Sequence, residues 1–286
     1  MRQHIRHTLK GRRSRVAARL LAASLLVPLG ACASDGWLSS GFSPATAAGD
    51  VDAASLMRVA DATRASGDLA SAAGMYNRAH QLAPDDVAPL LALGETLRRM
   101  GASATAADAY RAALDIEPRN FDALRGLGAA LLEVDQPEFA IAQLELALDV
   151  AKDHRVYNAL GVAHDMLGDH AAAQVYYREG LDLMPGNAQI TNNLGLSLAL
   201  AGDYAEGIAM LEQAVQDRAA TPRFRQNLAL AYGLAGQREA AERVAAIDLD
   251  QAAVAHNMSY YDLLRRADDS SMTASALGTH PADSGS

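Results

Sequence analysis

The stretch GDHAAAQVYYREGLDLMPGN, residues 168–187, decides how this 286-residue chain folds. Gly168 opens it. Ala173 follows five positions on, the aromatic Tyr177 four later, and the small Gly180 three after that, with Pro185 near the end. Small and apolar positions spaced by three and four share one face of a helix. The opening glycine suits a left-handed turn residue before that helix, and the proline lies where the helix must stop. The same skeleton returns at 67–86, 101–120 and 202–221, and Gly67 to Gly101 and Gly168 to Gly202 are each 34 residues apart.

A second pattern precedes each copy: LLALGETLRRM (90–100), YNALGVAHDML (157–167) and TNNLGLSLALA (191–201). Each unit is therefore two short helices. Gly94, Gly128, Gly161 and Gly195 in the first helix let it approach Ala72, Ala106, Ala140, Ala173 or Gly207 of a second helix. Gly67, Gly101, Gly168, Gly202 and Gly236 mark the turns between helices, and the Asp or Asn after each proline can cap the next helix. This two-helix unit of about 34 residues resembles the tetratricopeptide repeat. The resemblance implies an all-α fold, a right-handed α-solenoid of about six repeats with a C-terminal capping helix.

The repeats fall at 53–86, 87–120, 121–153, 154–187, 188–221 and 222–250, within an array spanning 53–250. The third departs most, with Asp135 in place of the turn glycine, Lys152 in place of the proline and one residue fewer. Asp250 can cap a last helix over 251–267, where Val254, Met258, Tyr261 and Leu264 share a face. Residues 268–286 lose all periodicity and read as a disordered tail.

Before the array the composition changes. Residues 1–31 hold seven cations and no acid, followed by the apolar run LLAASLLVPL at 20–29. The run is too short for a membrane-spanning helix, which needs about 20 residues, and the order fits a secretory leader. Leu29-Gly30-Ala31-Cys32 resembles a lipoprotein processing site, and Cys32 is the only cysteine. The resemblance implies cleavage after Ala31 and a diacylglyceryl thioether on Cys32, because a thiolate is the side-chain nucleophile suited to that transfer. Two or three acyl chains anchor a protein stably where one does not. Residues 32–52 are small and polar, a lipidated flexible tether. Ala33 follows the cysteine where an aspartate commonly signals inner-membrane retention. The implied location is the periplasmic face of the outer membrane.

Beyond the leader, 18 basic residues face 34 acidic ones. Such a body repels nucleic acid and anionic headgroups. The sequence holds no phosphate loop, nucleophile elbow or zinc spacing, so neither an enzyme nor a resident cofactor or small-molecule substrate is expected. His164-Asp165 and Asp169-His170 invite a metal or acid–base reading, but the repeat register predicts that their side chains diverge.

In this family the first helices line a concave groove. The register places Arg58, Asp61, Arg64, Glu95, Arg98 and Arg99 at its N-terminal end. Further along it places Asn158, Asn192, Asn193, Gln226 and Asn227, flanked by Val162, Met166, Leu196, Leu200, Leu230 and Leu234. Side-chain amides can bond both N–H and C=O of a peptide, and apolar neighbours supply area for an amphipathic segment. The partner class expected is therefore a protein segment. The Lys/Asn pattern of carboxylate-clamp tetratricopeptide domains is absent. The leader, the repeat number and the ending HNMSYYDLLRR (256–266) together resemble the TadD lipoproteins of tight-adherence (Flp) pilus systems. That resemblance implies help in assembling the pilus secretin or its partners. The alternatives are an NlpI-like adaptor for envelope enzymes and a PilF-like pilotin of another pilus or secretion system.

Overall fold

In the computed structural model, residues 52–276 are described, with side chains to residue 267. The leader at 1–31, Cys32 and almost all of the tether lie outside the described residues, as do 277–286. The described residues form thirteen helices and no strand, the all-α architecture that the repeat spacing predicts. They fall into two compact units, 52–151 and 152–276.

The first unit holds α1 (Ala53–Ala65), α2 (Leu69–Leu82), α3 (Ala88–Arg99), α4 (Ser103–Ile116), α5 (Phe121–Glu133) and α6 (Pro137–Val150). Each helix packs against the next, and the first helices of neighbouring repeats, α3 and α5, also meet. Side-chain caps start three of the helices: Asp52 accepts from the Ser55 amide, Asp68 from Ser71 and Asn120 from Ala123. The turn after α3 closes with the Ala102 amide donating to the Leu97 carbonyl at 2.9 Å. This six-residue closure requires a left-handed residue, which Gly101 supplies at φ 76°. After α5 the same closure runs from Gln136 to Leu131, and Asp135 takes the left-handed position at φ 58°. The missing glycine thus changes the residue and not the turn, because an aspartate tolerates this region better than most residues.

The second unit holds α7 (His154–Met166), α8 (His170–Leu183), α9 (Ala188–Leu200), α10 (Tyr204–Val215), α11 (Pro222–Leu234), α12 (Arg238–Ala245) and α13 (Gln251–Ala276). Here too successive helices pack together, and α7, α9 and α11 lie side by side. The opening motif gives the packing rule. Gly161 carries no side chain, and a Cβ there would lie 2.4 Å from the ring of Tyr177. The ring is therefore pressed onto the α7 backbone and is 1% exposed. A buried aromatic of this kind removes about 150–250 Å² from water. Leu211 does the same work against Gly195.

The last helix begins under a cap, the Ala253 amide donating to Asp250 Oδ1 at 2.8 Å. It runs to Ala276, past the end expected at 267. The sequence explains the extension: no glycine or proline lies between 251 and 276, and Gly278 and Pro281 come only afterwards. Met258 and Tyr261 are buried against α11 and α12.

Candidate functional site

The side-by-side helices α7, α9 and α11 bring the expected amides into one connected chain. Asn227 Nδ2 donates to Asn192 Oδ1 at 3.1 Å. Asn192 Nδ2 donates to Asn193 Oδ1 at 3.2 Å, and Asn193 Nδ2 donates to Asn158 Oδ1 at 2.9 Å. Both interhelical bonds join residues 35 apart, one repeat plus one position. The order differs from the expectation that all five amides face a ligand. Asn192 and Asn227 are 1% and 6% exposed and satisfy one another inside the unit. Asn158, Asn193 and Gln226 are half-buried and remain at the surface edge. The Gln226 Nε2 reaches Asp248 at 3.5 Å, and its Oε1 is buried with no partner among the described residues. Arg225 holds the same Asp248 carboxylate with two bonds, at 2.6 and 2.7 Å, and this keeps the Asp248 carboxyl below the usual range.

The apolar positions divide as well. Val162 and Met166 on α7 are half-buried. Leu230 and Leu234 are buried, in one cluster with Met258 and Tyr261 of α13, and Leu196 and Leu200 pack against that cluster. The register alone placed Leu230 and Leu234 on a binding face. The last helix covers them with Met258 and Tyr261 of its own apolar stripe. Of the expected positions, Asn158, Val162, Met166 and Asn193 are half-buried on the neighbouring helices α7 and α9, and Leu196, Leu200 and Gln226 are half-buried too.

The expected divergence of the His/Asp pairs is corrected by the structure. Gly168, at φ 76°, folds α8 back along α7, so the end of one helix meets the start of the other. His170 Nδ1 lies 2.7 Å from Asp165 Oδ1. Tyr177 donates to Asp165 Oδ2 at 2.8 Å, and Ser197 donates to Asp165 Oδ1 at 2.7 Å. One carboxylate thus ties α7, α8 and α9 together. A carboxylate accepts, so Tyr177 and Ser197 are the donors here, and both are buried. Burial, followed by the neighbouring Asp165 charge, drives the Tyr177 hydroxyl well above its ordinary pKa. His164 stacks on Tyr176 with ring centres 5.1 Å apart, and its Nδ1 lies 4.0 Å from Asp169. The signal that would have found the hub was the pairing of a polar residue four positions after the first-helix glycine with the tyrosine of the following helix. Asp165 and Tyr177 hold those places.

In the first unit, the residues expected at the N-terminal end of the groove are largely paired with each other. Arg64 bonds Asp61 at 3.1 Å and lies 5.5 Å from the centre of the Tyr76 ring. Tyr76 donates to Asp61 at 2.6 Å, and burial followed by that bond raises its hydroxyl to about 12. Arg98 bonds Glu95 at 3.0 Å and Glu133 at 2.5 Å, and Ser103 donates to Glu133 at 2.6 Å. Arg58 donates to Ser55 at 2.8 Å.

Comparison with known proteins agrees with this architecture. The tetratricopeptide repeat profile matches residues 154–187, which is the fourth repeat and contains the motif first quoted. The solved structure of pilF from Pseudomonas aeruginosa is similar over 67% of this chain and 88% of its own, at 19% identity and a TM-score of 0.57. PilW, described as a widely conserved type IV pilus biogenesis factor, is similar over 69% and 91%, at 17% identity and a TM-score of 0.62. MamA from Desulfovibrio magneticus RS-1 is similar over 59% and 96%, at 23% identity and a TM-score of 0.54. Among curated proteins none matches the sequence significantly. The chain thus carries a matched tetratricopeptide repeat at 154–187 and is similar in fold to PilF, PilW and MamA. Proteins of this fold are typically non-enzymatic scaffolds that bind other proteins.

Proposed function

We propose that the chain is a lipid-anchored outer-membrane scaffold that captures protein segments along the α7–α9 edge and serves assembly of a pilus machine. The observation that carries the binding reading is the half-exposed row of Asn158, Val162, Met166 and Asn193. Amides flank apolar side chains there, on α7 and α9 joined by the Asn193–Asn158 bond, with the buried Asn192–Asn227 pair tying α9 to α11. Such a row offers hydrogen bonds to a peptide backbone and area to its apolar side chains. An anchor at Cys32 raises the local concentration of this edge at the membrane.

The system we favour is tight-adherence (Flp) pilus biogenesis, with the secretin or its assembly subunits as partners. It rests on the leader, the repeat number and the HNMSYYDLLRR ending. A second reading, a pilotin of another pilus, is favoured by the fold likeness to PilF and PilW. The experiment is a Cys32→Ser substitution followed by envelope fractionation and by crosslinking with mass spectrometry. The account expects unprocessed precursor, loss from the outer membrane and loss of a secretin adduct. Normal sorting of the variant defeats the anchor. Adducts confined to cell-wall hydrolases replace the pilus role with an envelope-enzyme adaptor.

A further inference from the structure

On α6, in the first unit, Phe139 is 66% exposed, Leu146 49% and Val150 40%. At about 100° per residue these three lie within about 40° of one another around the helix, and the exposed Ala142 borders them. They form an apolar row pointing away from the buried face of Ala140, Leu144 and Ala147. Two of its three positions, Phe139 and Leu146, are peculiar to this repeat, whereas Val150 has apolar counterparts in Leu82, Ile116 and Leu183. Where α6 has Phe139, the other second helices have Ser71, Thr105, Ala172, Glu206 and Ala240; where it has Leu146, they have Arg78, Ala112, Glu179 and Gln213, while the shorter α12 ends before the corresponding Ile247. Exposed apolar residues occur elsewhere, as at Leu82, Val175 and Leu183, but only α6 carries large apolar side chains at both of these helical positions.

The neighbouring row is acidic. Glu138, Glu145 and Asp149 are all exposed, follow one another at seven and four residues, and make no ion pair among the described residues. Between 137 and 150 there is no Lys or Arg. An exposed apolar row beside unpaired carboxylates has a definite complement. We infer that α6 is a docking surface for a basic amphipathic helix of a partner protein, whose apolar stripe covers Phe139, Leu146 and Val150 while its Lys or Arg row meets the acidic one. The charge argues against the two other occupants. A second copy in an isologous contact brings the same acidic row to the interface, and like charges there cost association. An anionic membrane surface is repelled for the same reason. This surface is separate from the α7–α9 edge, so it stands or falls independently of the function proposed above.

The test uses the chain from Ala33 onward and a labelled 18-residue Leu/Lys peptide of helical amphipathic pattern, with a same-composition scrambled peptide as control. Fluorescence anisotropy at about 0.15 M salt is expected to show binding of the patterned peptide at least tenfold tighter than the scrambled one. Phe139→Ser with Leu146→Gln should weaken it at least tenfold without changing net charge or helical content. Glu138→Gln with Glu145→Gln and Asp149→Asn should weaken it severalfold and flatten its salt dependence. Equal binding of both peptides, or no loss in the Phe139/Leu146 variant, overturns the inference. So does a chain that is dimeric in light scattering and made monomeric by that variant, which assigns the row to a second copy. Binding to neutral phosphatidylcholine vesicles that the variant abolishes overturns it in favour of a lipid surface.

Discussion

Replacing Asp165 with alanine is the sharpest perturbation of the second unit. The carboxylate accepts from Tyr177 at 2.8 Å and from Ser197 at 2.7 Å, and lies 2.7 Å from His170. Tyr177 and Ser197 are 1% and 0% exposed, so neither hydroxyl can turn to water. A buried donor left without its partner costs about 1–3 kcal/mol. Tyr177 loses its acceptor outright, while Ser197 keeps only the His170 carbonyl at 3.5 Å, so together they set a loss of about 2–5 kcal/mol, at the upper end for a single substitution. Tyr177→Phe removes only one of the three donors and leaves the carboxylate satisfied, so its cost is about 1 kcal/mol. In the Asp165→Ala background the phenylalanine should cost nothing or help, since it removes an orphaned hydroxyl. The double-mutant cycle should therefore show a coupling above about 1 kcal/mol. Urea unfolding of the chain from Ala33, followed by circular dichroism at 222 nm, measures all four states. The chain has two compact units, so the expected change is a shift of one transition with the other in place. An Asp165→Ala loss under about 1 kcal/mol, or strict additivity with Tyr177→Phe, refutes the hub.

Gly161→Ala places a Cβ 2.4 Å from the Tyr177 ring and should cost about 1–3 kcal/mol by overpacking, read in the same unfolding assay. Asn227→Ala removes the donor to the buried Asn192 and should cost about 1–3 kcal/mol. Asn158→Ala, at the half-exposed end of the amide chain, should stay within about 0.5 kcal/mol of the parent while weakening partner capture in a pull-down. Truncation before Gln251 removes Met258 and Tyr261 from Leu230 and Leu234 and should raise dye binding to exposed apolar surface and promote association, seen by light scattering. The hydrogen bond from Arg155 holds the Asp153 carboxyl at about 2, below its unfolded value. Its contribution is thus present above about pH 4 and lost as pH falls toward 2. Asp153→Asn keeps a capping side chain and should flatten that part of the stability–pH curve, measured by urea midpoints from pH 2 to 6.

Much of the fold was legible because each repeat states its packing in single residues. The turn glycines do take positive φ, and even the exception at Asp135 takes φ 58°. The small residue Gly161 faces the large Tyr177 as the periodic pattern requires. The candidate face was legible only in part. Register puts Asn192 and Asn193 on the same helix turn, yet one is buried and the other half-exposed, because adjacent residues point about 100° apart around the helix. The cover that α13 lays over Leu230 and Leu234 depends on where a helix outside the repeat pattern docks, which periodicity does not encode. The Asp165 hub was missed for a similar reason. Its four residues come from three helices, and only the reversal at Gly168 brings His170 back to Asp165.

The central claim is that protein segments are held along the α7–α9 edge. A photo-crosslinking amino acid at Val162, half-buried on that edge, and at Val175, 57% exposed on α8, tests it in the native envelope. The account predicts a protein adduct from position 162, identified by mass spectrometry as a secretin or pilus-assembly subunit, and none from position 175. Adducts from 175 alone would place the partner on the other face and contradict it.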